Sequence, residues 1–89
     1  MTTSEQALRD AVVSIETDAR FTEARVMLRD GSILYFRHRV GERWAKAVGP
    51  DGGEGGRARE LIDAVRMFRL NAKHLDVEFV DGSRWEWKP

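Results

Sequence analysis

The sequence has no cysteine, so disulfides, thiolate metal sites, iron–sulfur clusters and cysteine nucleophiles are all excluded. It also has no excess of charge of either sign, because 15 Lys and Arg residues balance 15 Asp and Glu residues. This balance argues against a DNA-coating protein, a polybasic membrane binder or an acidic mimic of nucleic acid. No apolar run approaches the ~20 residues of a membrane-spanning helix, and residues 1–5 lack the features of a signal peptide. We therefore expect a cytoplasmic protein without a membrane partner.

What remains is the composition of one small globular domain. The 89 residues have room for one hydrophobic core, so we expect a single domain over residues 1–89. With 42% hydrophobic residues, 34% charged residues and only two prolines, the chain is too apolar to be disordered. Its stability must come from that core, because disulfides are excluded.

Two segments have the hydrophobic periodicity of amphipathic helices, residues 4–20 and residues 57–72. At the start of the first segment, Thr3 and Gln6 have the spacing of a capping box, which predicts that the helix begins immediately after Thr3. In the second segment the apolar stripe ends at Ala72.

Alternation of apolar and polar residues predicts strands in much of the remaining chain. The predicted strands are residues 23–29, 33–40, 44–48, 75–80 and 84–88. The Asp-Gly dipeptides at 30–31 and 81–82 favour tight hairpin turns, because their backbone tolerates positive φ. On the last strand Trp85 and Trp87 share a face, and we expect both to fill the core.

Short motifs recur in the same order in the two halves of the sequence. Leu-Arg-Asp-Ala-Val at 8–12 matches Leu-Ile-Asp-Ala-Val at 61–65, and Asp-Gly-Ser occurs at 30–32 and again at 81–83. Each half therefore consists of a predicted helix followed by a predicted hairpin, and we expect an internal repeat.

Together these elements predict an α+β fold arranged as a two-layer sandwich. The predicted order is αββ(β)αββ, with repeat halves over about 4–48 and 57–88 that are joined by a glycine-rich loop at 49–56. We expect one antiparallel sheet of four to five strands with both helices on one face, because a lone hairpin cannot bury its apolar face.

The loop at 49–56 holds five glycines, and a glycine loop between a strand and a helix often cradles phosphate. The candidate ligand residues are Gly53, Gly55, Gly56 and Arg57, because this stretch fits the loose pattern G-x-G-x-x-A. However, no Lys-Ser or Lys-Thr follows the glycines, and two acidic residues within the loop would repel a phosphate. A mobile connector is therefore the favoured interpretation, and a small-molecule or nucleotide loop is the alternative.

A basic segment follows the first hairpin turn. Between residues 31 and 48, four basic side chains accompany the single acid Glu42, a local net charge of +3. If Leu34 and Phe36 point to the core, strand alternation places their neighbours on the opposite face of the sheet. The candidate partner-binding residues on and around this face are Arg25, Met27, Arg29, Ile33, Tyr35, Arg37, Arg39, Arg43 and Trp44.

Three uses of this face remain open. Arginines around Tyr35 suit stacking on bases and binding of phosphates in a nucleic acid. Met27, Ile33 and Tyr35, with arginines around them, suit contact with another protein or with a second copy of the chain. The third use is an ordinary solvated surface. If Trp44 is exposed, it is the expected anchor for a partner.

Recognisable catalytic motifs are missing from the sequence. The two histidines, His38 and His74, are far apart and have no cluster of carboxylates around them, so we expect no metal site, no cofactor and no enzyme activity. We predict a non-enzymatic protein–protein interaction module, a regulator, adaptor or inhibitor, that binds through an open sheet face or an edge strand and can associate with itself. The alternatives are a nucleic-acid-binding domain that uses the basic face and a small-molecule binder that uses the glycine loop.

Overall fold

The computed structural model describes residues 2–71 and 73–89. Within them are two helices and seven strands: α1 (Ser4–Ala11), β1 (Val12–Thr17), β2 (Glu23–Leu28), β3 (Ile33–Arg39), β4 (Glu42–Val48), α2 (Gly56–Asp63), β5 (Val65–Asn71), β6 (His74–Phe79) and β7 (Arg84–Trp87). The class is α+β, as predicted. The strands form two antiparallel sheets, β1-β2-β3-β4 and β5-β6-β7, where one sheet of four or five strands was expected.

The two sheets arise because both predicted helices end early and continue as strands. The segment 4–20 is helical only to Ala11 and then forms β1, and the segment 57–72 is helical only to Asp63 and then forms β5. β1 is rich in β-branched side chains, which favour extended backbone. In both cases the strand pairing shifts register directly after the helix, at a bulge. Ala72, the last residue of the predicted stripe, lies outside the described residues.

One hydrophobic core joins both sheets and both helices. Its helical members are Leu8 from α1 and Ala58 and Leu61 from α2. The rings of Phe36 and Phe68, whose centroids are 5.1 Å apart, connect the four-stranded sheet to the three-stranded sheet. α2 packs on β4 and α1 contacts β7, so the helices lie against different sheets and not on one face of a single sheet. Trp85 is 8% exposed and belongs to the core, as predicted. Trp87 is partly buried and packs against the core.

The hairpin turn at Asp30–Ser32 caps the N-terminus of α2. Asp30 Oδ2 accepts a hydrogen bond of 2.6 Å from the backbone N–H of Arg57, and the buried Ser32 Oγ accepts one of 3.0 Å from the N–H of Ala58. α2 has no side-chain cap of its own, because its N-cap residue is Gly55. Hydrogen bonds from Ser32 and from the Arg57 N–H lower the pKa of Asp30 below its ordinary value.

The turn at Asp81–Ser83 caps α1 in the same way. Asp81 Oδ2 accepts a hydrogen bond of 2.8 Å from the N–H of Ser4, and Ser83 Oγ accepts one of 3.0 Å from the N–H of Glu5. Hydrogen bonds from Ser83 and from the Ser4 N–H lower the pKa of Asp81 to about 2. Thr3 adds a local cap, because its hydroxyl accepts from the Gln6 N–H at 3.2 Å, and α1 begins at Ser4 as predicted. Each helix is therefore capped by a turn from the other half of the chain.

Candidate functional site

The candidate site is the face of the four-stranded sheet that points away from the core, which we call the outer face. The inner face holds the buried side chains of β2 and β3, so the alternate residues lie outside. Three cross-strand rows over β2, β3 and β4 form the outer face: Glu23–Arg37–Trp44, Arg25–Tyr35–Lys46 and Met27–Ile33–Val48. Glu16 on β1 extends the second row, and Arg39 and Glu42 face each other at the β3–β4 turn.

One end of the outer face is apolar. Met27, Ile33 and Val48 lie side by side on neighbouring strands, and Tyr35 follows Ile33 on the same face. All four side chains are half-buried, and none belongs to the core or packs against it. Apolar side chains that are adjacent, partly exposed and outside the core are typical of a contact surface.

Glutamates from neighbouring strands neutralise the arginines of the outer face. Arg37 contacts Glu23 at 2.7 Å and Glu42 at 3.3 Å, and Arg39 contacts Glu42 at 2.8 Å. On the adjoining row, Arg25 lies 3.0 Å from Glu16. The outer face thus carries four basic and three acidic side chains, and its net charge is far lower than the basic segment alone suggests.

Trp44 is held in a fixed orientation on the outer face. Its indole Nε1 donates a hydrogen bond of 2.7 Å to Glu42. The guanidinium of Arg37 and the ammonium of Lys46 lie 5.1 and 5.0 Å from its ring centre, so two cations flank the indole. The hydrogen bond from Trp44, together with that from Arg39, lowers the pKa of Glu42 and keeps this carboxylate ionised. The half-buried ring is consequently ordered before any partner binds.

Two of the predicted partner-binding residues do not belong to the outer face. Arg43 lies on the inner side of β4, where its guanidinium donates to the Phe68 carbonyl oxygen and covers the Phe68 ring at 5.1 Å. Strand parity explains this position, because Arg43 is one residue from the outward-facing Trp44. Arg29 follows β2 and donates through Nε to the Asp10 carbonyl near the end of α1, at 2.9 Å.

Five members of the site were not among the predicted residues: Glu16, Glu23, Glu42, Lys46 and Val48. Glu23 and Glu42 share the parity of Arg25 and Trp44 on their strands, so strand alternation contained the signal for both. Lys46 and Val48 share the parity of Trp44, so the alternation of the third predicted strand contained the signal for both. Glu16 was assigned to a helix, and its place beside Arg25 follows only once β1 is recognised as a strand. The other predicted residues lie on the outer face: Arg25, Met27, Ile33, Tyr35, Arg37, Arg39 and Trp44.

The glycine loop leads into the N-terminus of α2, which the turn at Asp30–Ser32 caps. Asp30 already occupies the helix N-terminus, so an anionic ligand at Gly55, Gly56 and Arg57 would have to displace a carboxylate. Gly56 has φ +73°, and a Cβ there would lie 2.9 Å from Pro50 and 3.0 Å from the Asp30 carboxylate. Gly53 closes the loop through its carbonyl, which accepts from the Gly49 N–H at 2.7 Å.

No protein-family model, curated protein or solved structure matches this chain. Among residues 2–71 and 73–89, no group of three or more His, Asp or Glu side chains is placed to hold a metal ion. Neither helix in this described part of the chain has the length and apolar character needed to cross a membrane. Any function must therefore be inferred from the geometry of the outer face.

Proposed function

We propose that this protein is a small non-enzymatic interaction module, of the regulator, adaptor or inhibitor type, that binds another protein through the outer face. The observation that carries the proposal is the set of half-buried apolar and aromatic side chains, Met27, Ile33, Tyr35, Trp44 and Val48, on a sheet face outside the core. Aromatic anchors surrounded by arginine and acidic groups are typical of the centre and rim of protein interfaces.

The charge arrangement favours a protein partner over a nucleic acid. A phosphate backbone needs cations that are free to neutralise it, whereas Arg37 is engaged by both Glu23 and Glu42. Those carboxylates would repel phosphates that approach Trp44. A protein surface, in contrast, can exchange ion pairs with both signs of charge at the rim.

We also propose that the chain is an internal repeat, with its units inside residues 4–48 and 57–88. The support is the reciprocity of the caps: the Asp-Gly-Ser turn of each unit accepts the same two hydrogen bonds from the helix of the other unit, one on the Asp carboxylate and one on the Ser hydroxyl. Each helix is also followed by a strand whose register shifts near its start, between Val12 and Ser14 in β1 and between Val65 and Met67 in β5, and the motif match aligns these positions. β4 is then the element that the first unit has and the second unit lacks.

The function is tested by capture of partners from lysate of the native host on tagged protein, with and without nuclease. We compare the parent chain with Ile33→Lys, which places a charge in the middle of the apolar row. Val80→Lys is the matched control, because Val80 is exposed and lies in the turn after β6, away from the outer face. We expect a stoichiometric protein that the parent and Val80→Lys retain, that Ile33→Lys loses, and that nuclease does not remove.

Two other results would contradict this function. Recovery of nucleic acid, with affinity that falls steeply from low to physiological salt, would assign the outer face to nucleic acid. Equal capture by the parent and Ile33→Lys would show that the partner binds elsewhere. Thermal unfolding of both variants shows whether a loss of capture reflects the surface and not the fold.

A further inference from the structure

The strand β7 has a free edge at the place where β3 carries β4. β3 and β7 occupy the same position in their units, since each begins directly after an Asp-Gly-Ser turn. β3 pairs with β2 on one side and with β4 on the other. In the part of the chain that the structure describes, β7 pairs with β6 alone.

The pairing register shows which backbone groups of β7 point to this edge. The Ser83 carbonyl accepts from the Phe79 N–H at 2.9 Å, so Ser83 and, by alternation, Trp85 turn their backbone groups toward β6. The N–H and C=O groups of Arg84 and Glu86 therefore point away from β6. Within residues 2–71 and 73–89, no backbone hydrogen bond reaches the N–H and C=O groups of Arg84 and Glu86 from that side.

The equivalent groups of β3 show what such an edge binds. Ile33 and Tyr35 have the same parity as Arg84 and Glu86, and they pair with Val48 and Lys46 of β4. The side chains of β4 alternate between two types: Trp44 and Lys46 on the outer face, and Ala45 and Ala47 packed against the core under α2. Small inward side chains leave room for the helix above the strand.

We propose that the edge of β7 binds, in antiparallel pairing, an extended segment of a partner protein that has the alternation of β4. When the β3–β4 register is transferred to β7, Lys46 of such a segment lies opposite Glu86 and Trp44 lies opposite Lys88. The first pair is of opposite charge and replaces the contact of Lys88 with Glu86 at 3.3 Å. The second repeats the cation–aromatic contact of Arg37 with Trp44. The partner segment thus carries alanine-sized residues on one face and a basic residue opposite Glu86 on the other.

The helix next to this edge limits the inward residues of the partner. α1 contacts β7 as α2 contacts β3, but where α2 has Ala58 and Ile62, the matched positions of α1 are Glu5 and Arg9. These two side chains form an ion pair of 3.5 Å. Small or hydroxyl-bearing residues are compatible with this charged helix surface, whereas large apolar residues are not.

The proposal rests on the repeat and is independent of the outer face, so the test uses a different probe. A capped peptide with the sequence of residues 41–49, Gly-Glu-Arg-Trp-Ala-Lys-Ala-Val-Gly, is titrated into the isotope-labelled full chain. We expect saturable NMR shifts of the Arg84 and Glu86 amides, and hydrogen exchange at both amides slowed by about tenfold at saturation. Ile33→Lys should retain this binding, because Ile33 lies on the outer face of the four-stranded sheet and β7 belongs to the other sheet.

A charge exchange makes the test specific. Glu86→Lys should weaken binding of the peptide about tenfold, and a peptide with Lys46→Glu should restore it. Glu54→Lys, in the exposed glycine loop, is the control with the same change of charge and should bind the original peptide normally.

The proposal is overturned if millimolar peptide leaves the Arg84 and Glu86 amides unchanged. It is also overturned if the shifts occur at the Ile33 and Tyr35 amides, which would mean that the peptide replaces β4. A third contradicting result is that the peptide with Lys46→Glu fails to bind the Glu86→Lys variant. A failure of this kind leaves the capture experiment with Ile33→Lys unaffected, so the two proposals are decided separately.

Discussion

The two sheets present different outer surfaces although their turns and caps are alike. The outer face of the four-stranded sheet combines apolar and aromatic side chains with paired charges. The outward side of the three-stranded sheet is mostly charged, and its apolar side chain Met67 is 40% exposed. On this side Arg84 Nε donates at 2.7 Å to Asp76, which is 7% exposed. That hydrogen bond and the charge of Arg84 lower the pKa of Asp76. Similar turns and caps thus leave the solvent-facing positions of the two sheets free to differ.

The caps differ in burial as well. Ser32 is fully buried beneath the glycine loop, whereas Ser83 is only half-buried. The same three-residue turn therefore hydrogen-bonds to α2 in a dry environment and to α1 in a partly wet environment. Hydrogen bonds matter more for stability where water cannot replace them.

Phe68→Ala should have the largest effect, because Phe68 joins the two sheets through its contact with Phe36. We expect the free energy of unfolding to fall by about 4 kcal/mol. Amide exchange should accelerate in β2 and β6 together, as measured by hydrogen exchange, with the exposed Val80→Ala as a nearly silent control. Acceleration confined to β6 would show that the sheets unfold independently.

The difference between the caps predicts unequal effects of two equivalent serine substitutions. Ser32→Ala leaves the Ala58 N–H without its acceptor in a buried site, and should cost about 2 kcal/mol of unfolding free energy. Ser83→Ala should cost less, because water can reach the Glu5 N–H. Denaturant unfolding of the two variants measures the difference, and equal losses would contradict the assignment of burial as its cause.

Gly56→Ala tests the close approach of the glycine loop to the first cap. Both Gly56 and Gly52 have positive φ, but a Cβ at Gly52 meets nothing within 4 Å, whereas one at Gly56 meets Pro50 and Asp30. Gly52→Ala should therefore cost about 1 kcal/mol from backbone strain alone, and Gly56→Ala should cost clearly more. Comparable melting temperatures for the two variants would mean that the loop adjusts without cost.

The smallest expected effect is the pH dependence of the second cap. The pKa of Asp81 is about 2 in the folded chain, below its ordinary value of 3.8. Because the folded pKa is depressed, this carboxylate contributes stability above pH 3.8, and the contribution is lost as the pH falls toward about 2. In Asp81→Asn the melting temperature should fall less steeply over this range than in the parent. If the melting temperatures of the parent and Asp81→Asn fall equally with pH, Asp81 does not contribute to the loss of stability in acid.

Much of the fold was predictable from neighbours in the sequence. The Asp-Gly turns, the strands on either side of them and the inward orientation of Leu34, Phe36 and Trp85 follow from turn chemistry and strand alternation. The helix lengths did not follow, because apolar residues such as Val12 and Ile15 satisfy both helical and strand spacing. Their β-branched side chains were the signal that favours a strand.

The candidate site was predictable to a similar extent. Arg25, Tyr35 and Arg37 lie on one face because strand parity is a local property. Their neutralisation was not predictable, since it depends on Glu16 and Glu23 of other strands. Likewise Arg43 could be assigned to the inner side only when the pairing of β3 with β4 was known.

Turns at the two Asp-Gly dipeptides, strand alternation beside them and the recurring motifs could be predicted from the sequence alone, because backbone preferences act between adjacent residues. That each turn caps the helix of the other half depends on tertiary packing. Asp30 and Arg57 are 27 residues apart, and Ser4 and Asp81 are 77 apart. Such contacts form only when the core brings both segments together, because burial is a property of the whole chain and each capping hydrogen bond contributes little without it.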